Sequence, residues 1–106
     1  MKTIIIFRHG STNSNEDYDK DYDCTLTPRG IKDAKKMGSF LSSKNMRPDL
    51  VLSSSAIRAR TTAELAHTTG RWKSKFFLEP GIYGGSPYFL LDLIKQQDDS
   101  YNSICL

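Results

Sequence analysis

Apolar positions along the chain fall into two rhythms, short unbroken runs and longer stretches at helical spacing. Thr3 to Phe7 is a β-branched apolar run without polar alternation, the pattern of a central strand covered on both faces. It stops at Arg8-His9-Gly10. Ser11 to Cys24 is polar and rich in Asn, Asp and Tyr, which reads as a long surface loop. Thr27 then caps a predicted helix with Pro28 in its first turn, and Ile31, Ala34, Met37 or Gly38, and Leu41 recur at helical spacing to about Ser43.

Leu50-Val51-Leu52 predicts a second buried strand running into Ser53-Ser54-Ser55, whose hydroxyls are placed to cap a helix over Ala56 to Thr69 that Gly70 stops. Arg71 to Lys75 is basic and reads as exposed. Phe76 to Leu78 is a weaker third strand, and Pro80-Gly81 with Gly84-Gly85 marks a turn-rich loop. Ser86 and Pro87 open a third helix with Leu90, Leu91, Leu93 and Ile94 as its apolar positions. It fades at Gln96 to Asp99, and Ser103 to Leu106 begins a fourth strand. Strands alternating with helices imply an α/β fold, a mostly parallel central sheet flanked by helices, with ligands beyond the carboxyl ends of the strands. No second composition regime divides the chain, so residues 1–106 read as one domain.

At 106 residues the chain is large enough for a core, and 38% hydrophobic with 25% charged residues excludes intrinsic disorder. The net charge of +3 suits an anionic ligand and falls short of a dedicated nucleic-acid binder. Cys24 and Cys105 lie far apart and read as free thiols of a reducing cytoplasm. The run Ile4 to Phe7 is shorter than the roughly 7–15 apolar residues of a signal peptide or the ~20 of a membrane helix, so no membrane association is expected. Asp17, Asp19 and Asp21 begin like a calcium loop, but Tyr22 and Pro28 stand where Gly and Glu are needed, and no metal site is expected. His67 near the end of the second helix reads as an exposed helix residue. Trp72 among basic residues offers a surface for a base or a partner, yet one aromatic without a repeat does not make a nucleic-acid interface.

Both polar clusters with chemistry follow strands. His9 stands between a guanidinium and a glycine; taken alone, such a histidine is more often structural. The stretch Ser54 to Glu64 changes that weighting, because a helix start with Arg58 in its first turn attracts an anion, whereas Arg60 reads as a solvated helix residue.

Arg8-His9-Gly10 with Thr12, Leu26-Thr27-Pro28-Arg29-Gly30, and Ser54 through Glu64, in this order and spacing, resemble the histidine phosphatase (phosphoglycerate mutase-like) superfamily, and the short chain resembles its SixA-type phosphohistidine phosphatases. The resemblance implies a three-layer sandwich and His9 as a nucleophile that forms a phosphohistidine intermediate, hydrolysed by water. Arg8 and Arg58 would clamp the phosphoryl oxygens, and Gly10 and Thr12 would contribute to substrate binding. It implies no cofactor or metal, since arginines supply the charge that magnesium supplies in kinases. The partner would be a phosphorylated substrate, including a phosphohistidine-bearing signalling protein.

Two departures from the family pattern stand out. The second phosphate-binding histidine, expected directly after a strand like Ser103 to Leu106, is absent, so the chain reads as the N-terminal part of a longer domain. The general acid falls on Glu79, with Glu16 or Asp17 as alternatives. These departures leave two other expectations, a phosphomonoesterase of the same superfamily and a non-catalytic phosphate- or phosphoprotein-binding remnant.

Overall fold

The computed structural model describes residues 2–12 and 24–106. Four strands, β1 (Thr3–Ile5), β2 (Leu50–Ser53), β3 (Lys75–Leu78) and β4 (Ser103–Cys105), alternate with three helices, α1 (Pro28–Ser43), α2 (Ile57–Thr69) and α3 (Pro87–Lys95). The strands form one parallel sheet in the order β1-β4-β2-β3. This is the expected α/β architecture, and because every pairing is parallel, all four carboxyl ends lie along one edge of the sheet.

Alternation along the strands sends successive residues to opposite faces. Val51 and Cys105 face one way, into a core with Leu41, Ala63, Ala66 and Trp72 from the α1 and α2 side. Leu50, Leu52 and Ile104 face the other way and meet Leu93 of α3.

Local chemistry sets the helix ends. The Thr27 hydroxyl accepts from the Gly30 amide at 3.0 Å and Pro28 occupies the first turn of α1, as expected. Ser86 caps α3 in the same way, accepting from the Phe89 amide at 3.2 Å. At α2 the expectation is corrected. Ala56 occupies the capping position and no side chain caps the helix; Ser54 instead accepts from the Ala56 amide at 3.1 Å, making a turn ahead of it.

Three further readings are corrected by tertiary packing. The first strand ends at Ile5 and lies at the sheet edge among the described residues, with Thr3 and Ile4 exposed, so it is not covered on both faces. Its ladder nevertheless continues toward Phe7, since Leu106 donates to the Ile5 carbonyl at 3.0 Å and Phe7 to the Leu106 carbonyl at 2.9 Å. Trp72 is buried, not exposed, and its Nε1 donates to the Gly38 carbonyl at 3.2 Å. Ser74 beside it is also buried, with its hydroxyl donating to the Pro48 carbonyl. Only the long basic side chains of Arg71 to Lys75 face solvent. Arg71 has φ 54°, which turns the chain sharply after α2 and sends Trp72 inward. His67 is half-buried; it meets the rings of Trp72 and Phe76 edge-on at 6.2 and 5.8 Å, and its Nε2 donates to the Ser74 carbonyl at 3.0 Å.

Candidate active site

The sheet order separates the segment after β1 from the segment after β2 by one strand, β4. With neighbouring strands about 4.8 Å apart, those two segments start roughly 10 Å from each other, close enough to flank one small anion with side chains. Arg8, His9 and Gly10 leave the first. Arg58 belongs to the second, in the opening turn of α2, where helix amides and dipole favour negative charge.

The segment after β1 is fastened to the start of α1. A side chain on Gly10 would meet the Gly30 carbonyl oxygen at 2.6 Å, and one on Gly30 would collide with the Ser11 backbone, so the two chains touch backbone to backbone. Thr27 donates its amide to the Ser11 carbonyl at 2.8 Å, and Thr12 forms an isolated antiparallel bridge with Leu26. The Leu26 to Gly30 motif thus acts structurally, as the clasp that holds the Arg8-His9-Gly10 turn.

His9 is half-buried, and its Nδ1 lies 2.8 Å from the Gly10 carbonyl oxygen. A carbonyl only accepts, so Nδ1 carries the proton of this hydrogen bond. In the neutral ring Nε2 then holds the lone pair. The Arg8 side chain is exposed and lies with His9, Gly10 and Ser11 on a groove that continues along Met37 of α1.

On the other side His9 lines a cavity of about 220 Å³ with Ser53, Ser54, Ala59 and Thr62, closed below by apolar groups including Leu52, Ile82 and Leu106. The Arg58 guanidinium sits 5.7 Å from the Tyr83 ring centre, a cation–π contact that brings the loop after β3 to the clamp candidate. Arg60 points elsewhere, paired with Glu64 at 2.5 Å on the exposed side of α2.

Glu79 is positioned by its backbone, whose amide donates to the Ser53 carbonyl at 2.7 Å beyond the end of β3. That puts it on the same sheet edge as His9 and Arg58, but its side chain is not among the groups lining the cavity. Glu16, Asp17 and the calcium-like aspartates lie outside the described residues. His67 is in the last turn of α2, at the opposite end from Arg58 and roughly 13 Å away along the axis, and takes no part.

Two residues, Thr62 and Tyr83, escaped the sequence reading. Thr62 is buried, donates its hydroxyl to the Arg58 carbonyl at 2.7 Å, and accepts from the Gly10 amide at 3.1 Å. Its place inside the Ser54 to Glu64 stretch, one turn after Arg58, was the only available signal. Tyr83 was missed as well, standing in a turn-rich loop with nothing in its neighbours to mark it. Among the described residues no group of three or more His, Cys, Asp or Glu is placed to hold a metal ion, and no helix is long and apolar enough to cross a membrane.

The sequence profile of the histidine phosphatase superfamily (branch 1) matches residues 4–77. A 2,3-bisphosphoglycerate-dependent phosphoglycerate mutase of Mycobacterium leprae is 36% identical over 72 residues, 66% of this chain and 29% of the mutase. An uncharacterized protein of Mycobacterium tuberculosis is 33% identical over 84 residues, 79% of this chain and 51% of that protein. The chain therefore spans about a third to a half of the length of these relatives.

Among solved structures, a candidate phosphohistidine phosphatase SixA from Agrobacterium tumefaciens superposes with a TM-score of 0.88 at 22% identity, over 100% of this chain and 69% of that one. The protein histidine phosphatase SixA complexed with tungstate superposes at 0.82 and 21% identity, over 96% of this chain and 65% of that one. At such identities the shared feature is the fold.

Proposed function

The chain belongs to the histidine phosphatase superfamily, and on that premise we propose that it is a phosphohistidine phosphatase with His9 as the nucleophile. The observation that carries the reading is the hydrogen bond from His9 Nδ1 to the Gly10 carbonyl, because it orients the ring and leaves Nε2 to attack. Nε2 bonds to phosphorus as the phosphorus–nitrogen bond of the substrate breaks, and the departing imidazole takes up a proton. Water then attacks phosphorus, the His9–phosphorus bond breaks, and inorganic phosphate leaves with the ring restored.

Arg8 and Arg58 hold the phosphoryl oxygens and stabilise charge as it redistributes in the transition state. Thr12 contributes to substrate binding. Gly10 contributes by its backbone, its amide being engaged by Thr62. Glu79 is the proposed proton donor, with Glu16 and Asp17 as alternatives. An imidazole leaves more readily than an alkoxide, so the demand on that acid is small. The fold shared with two SixA structures supports a phosphohistidine-bearing protein as substrate, and the two free cysteines support a reducing, cytoplasmic setting.

The identity with phosphoglycerate mutases favours a second reading, transfer to or from a small phosphoester. Incubation with a phosphohistidine peptide, phosphoramidate, 3-phosphoglycerate and p-nitrophenyl phosphate separates the two. Acid-labile, base-stable label on His9 with turnover of the phosphorus–nitrogen substrates supports the phosphohistidine reading. Turnover of the esters alone supports the second, and phosphate binding without label or turnover reduces the chain to a binding module.

A further inference from the structure

We propose that Thr62 is the positioning residue that ties the His9 turn to the helix carrying Arg58, and so sets the nucleophile against the phosphate clamp; this rests on the function proposed above. A hydroxyl has one proton to donate and two lone pairs to accept with. Arg58 offers Thr62 a carbonyl, which only accepts, at 2.7 Å, so the proton goes there. The lone pairs then face the Gly10 amide at 3.1 Å, across 52 positions of sequence. The two roles are compatible, and at 2% exposure water does not compete for the hydroxyl.

The bond to Arg58 is the ordinary one that a helical threonine makes to the carbonyl four residues back. The bond to Gly10 is the informative one. The His9 turn is otherwise clasped to α1, through Gly30 and Thr27. Arg58, however, rides on α2. Thr62 joins the two directly, and it forms part of the wall of both openings that His9 lines. Removing the hydroxyl leaves the Gly10 amide without its partner and the adjacent ring free to move relative to the guanidinium.

Binding of a phosphate depends mainly on the charge of the two arginines, whereas transfer needs Nε2 in line with phosphorus at roughly 3–3.5 Å, and a misplacement near 1 Å costs up to about 100-fold. The effect of Thr62 therefore belongs in kcat.

The test compares Thr62→Val, which keeps the shape and loses the hydroxyl, with Thr62→Ser, which keeps the hydroxyl. Turnover of phosphoramidate, affinity for inorganic phosphate, and hydrogen exchange at the Gly10 amide are measured on the full chain. T62V is expected to lower kcat about 10- to 100-fold, with KM and phosphate affinity within about threefold of wild type. Its Gly10 amide should exchange at least about tenfold faster. T62S should match wild type on all three. Thr62→Ala, acceptable in a helix, is read as T62V is, should that variant fail to fold.

Wild-type kcat in the hydroxyl-free variants, or a T62S as impaired as T62V, overturns the proposal. A wild-type chain without any turnover or His9 label overturns the functional reading instead, and the Gly10 exchange then decides alone whether the tie exists. Unchanged protection there overturns it.

Discussion

The two faces of the sheet are packed in different ways. On the α1 and α2 face, helix backbone meets helix backbone: a side chain on Gly38 would collide with the Ala66 backbone, and one on Gly70 with the Gly38 carbonyl and the Trp72 indole. Ser42 donates to the Gly70 carbonyl at 2.6 Å, and Trp72 reaches Gly38 from the side. On the α3 face a nine-residue helix buries only Leu93, and leaves Tyr88 80% and Leu91 49% exposed. Small residues have no rotamers to lose and let backbones approach closely, so the first face holds position tightly while the second covers the sheet loosely. The groups assigned to the proposed site divide along the same line. His9 and Arg58 are fixed through Gly30, Thr27 and Thr62 on the tight face. Glu79 and Tyr83 come from the segment leading to α3.

The largest expected effect tests whether the tight face holds the nucleophile. His9→Ala should lower turnover by at least about 10⁴-fold, near 5 kcal/mol of transition-state stabilisation, with the far-UV spectrum and melting temperature retained because the side chain is only half-buried. Steady-state kinetics on phosphoramidate checks it; activity within tenfold of wild type moves the nucleophile elsewhere. Arg58→Ala should follow, at about 10²–10³-fold in kcat/KM together with weaker phosphate binding. Arg60→Ala, which breaks only an exposed pair with Glu64, should stay within about twofold. Equal losses in the two arginine variants would erase the distinction between the inward and outward sides of α2.

How much of this was legible in the sequence depends on how local each cause is. Arg8-His9-Gly10 directly follows a short apolar run, and a parallel sheet delivers such a turn to one edge, whereas its proposed role and that of Arg58, in the first turn of α2, came from the combined motifs that resemble the superfamily. The Thr27 cap and the start of α1 were legible from neighbours within three residues. Trp72 was not: its burial depends on Gly38, 34 positions away, while the residues beside it are basic. The misplaced cap of α2 has a similar origin, since three serines in a row leave open which one turns the chain. Ser54 does so, ahead of the capping position at Ala56. For β1, an apolar run says that a strand is favoured but not where in the sheet it pairs. Thr62 looks like any helical threonine until the Gly10 turn is folded against it.

The middle of the range concerns stability on the tight face. Gly38→Ala would add about 1 kcal/mol in helix propensity, but the new Cβ meets backbone that has no rotamer with which to yield, and such overpacking costs about 1–3 kcal/mol or more. The clash should win by about 2 kcal/mol, lowering the melting temperature by roughly 10 °C. An unchanged or raised melting temperature would show that α1 and α2 slide freely. Cys105 reports the dryness of the same core, since burial pushes its thiol up to about 12 from 9.0. With the folded value raised, stability is fully present below the unfolded value of 9.0 and is lost as pH rises toward 12. The stability difference between wild type and Cys105→Ala should therefore shrink by on the order of 1 kcal/mol between pH 7 and pH 10, measured by urea titration at each pH. A difference independent of pH would mean that water reaches the thiol.

The smallest expected effect lies on the loose face. Tyr88 is 80% exposed in the first turn of α3, so Tyr88→Ala removes little buried area, and the better helix propensity of alanine offsets what it does remove. Stability should change by no more than about 0.5 kcal/mol in either direction, the usual range for a surface position. Paired with Gly38→Ala, it contrasts a whole phenol ring lost from one face with a single carbon gained on the other, and the single carbon should matter more. A loss above about 1 kcal/mol in Tyr88→Ala would show that the α3 face is fastened through its outer side chains, and would remove the basis for treating Glu79 and Tyr83 as the more loosely held half of the site.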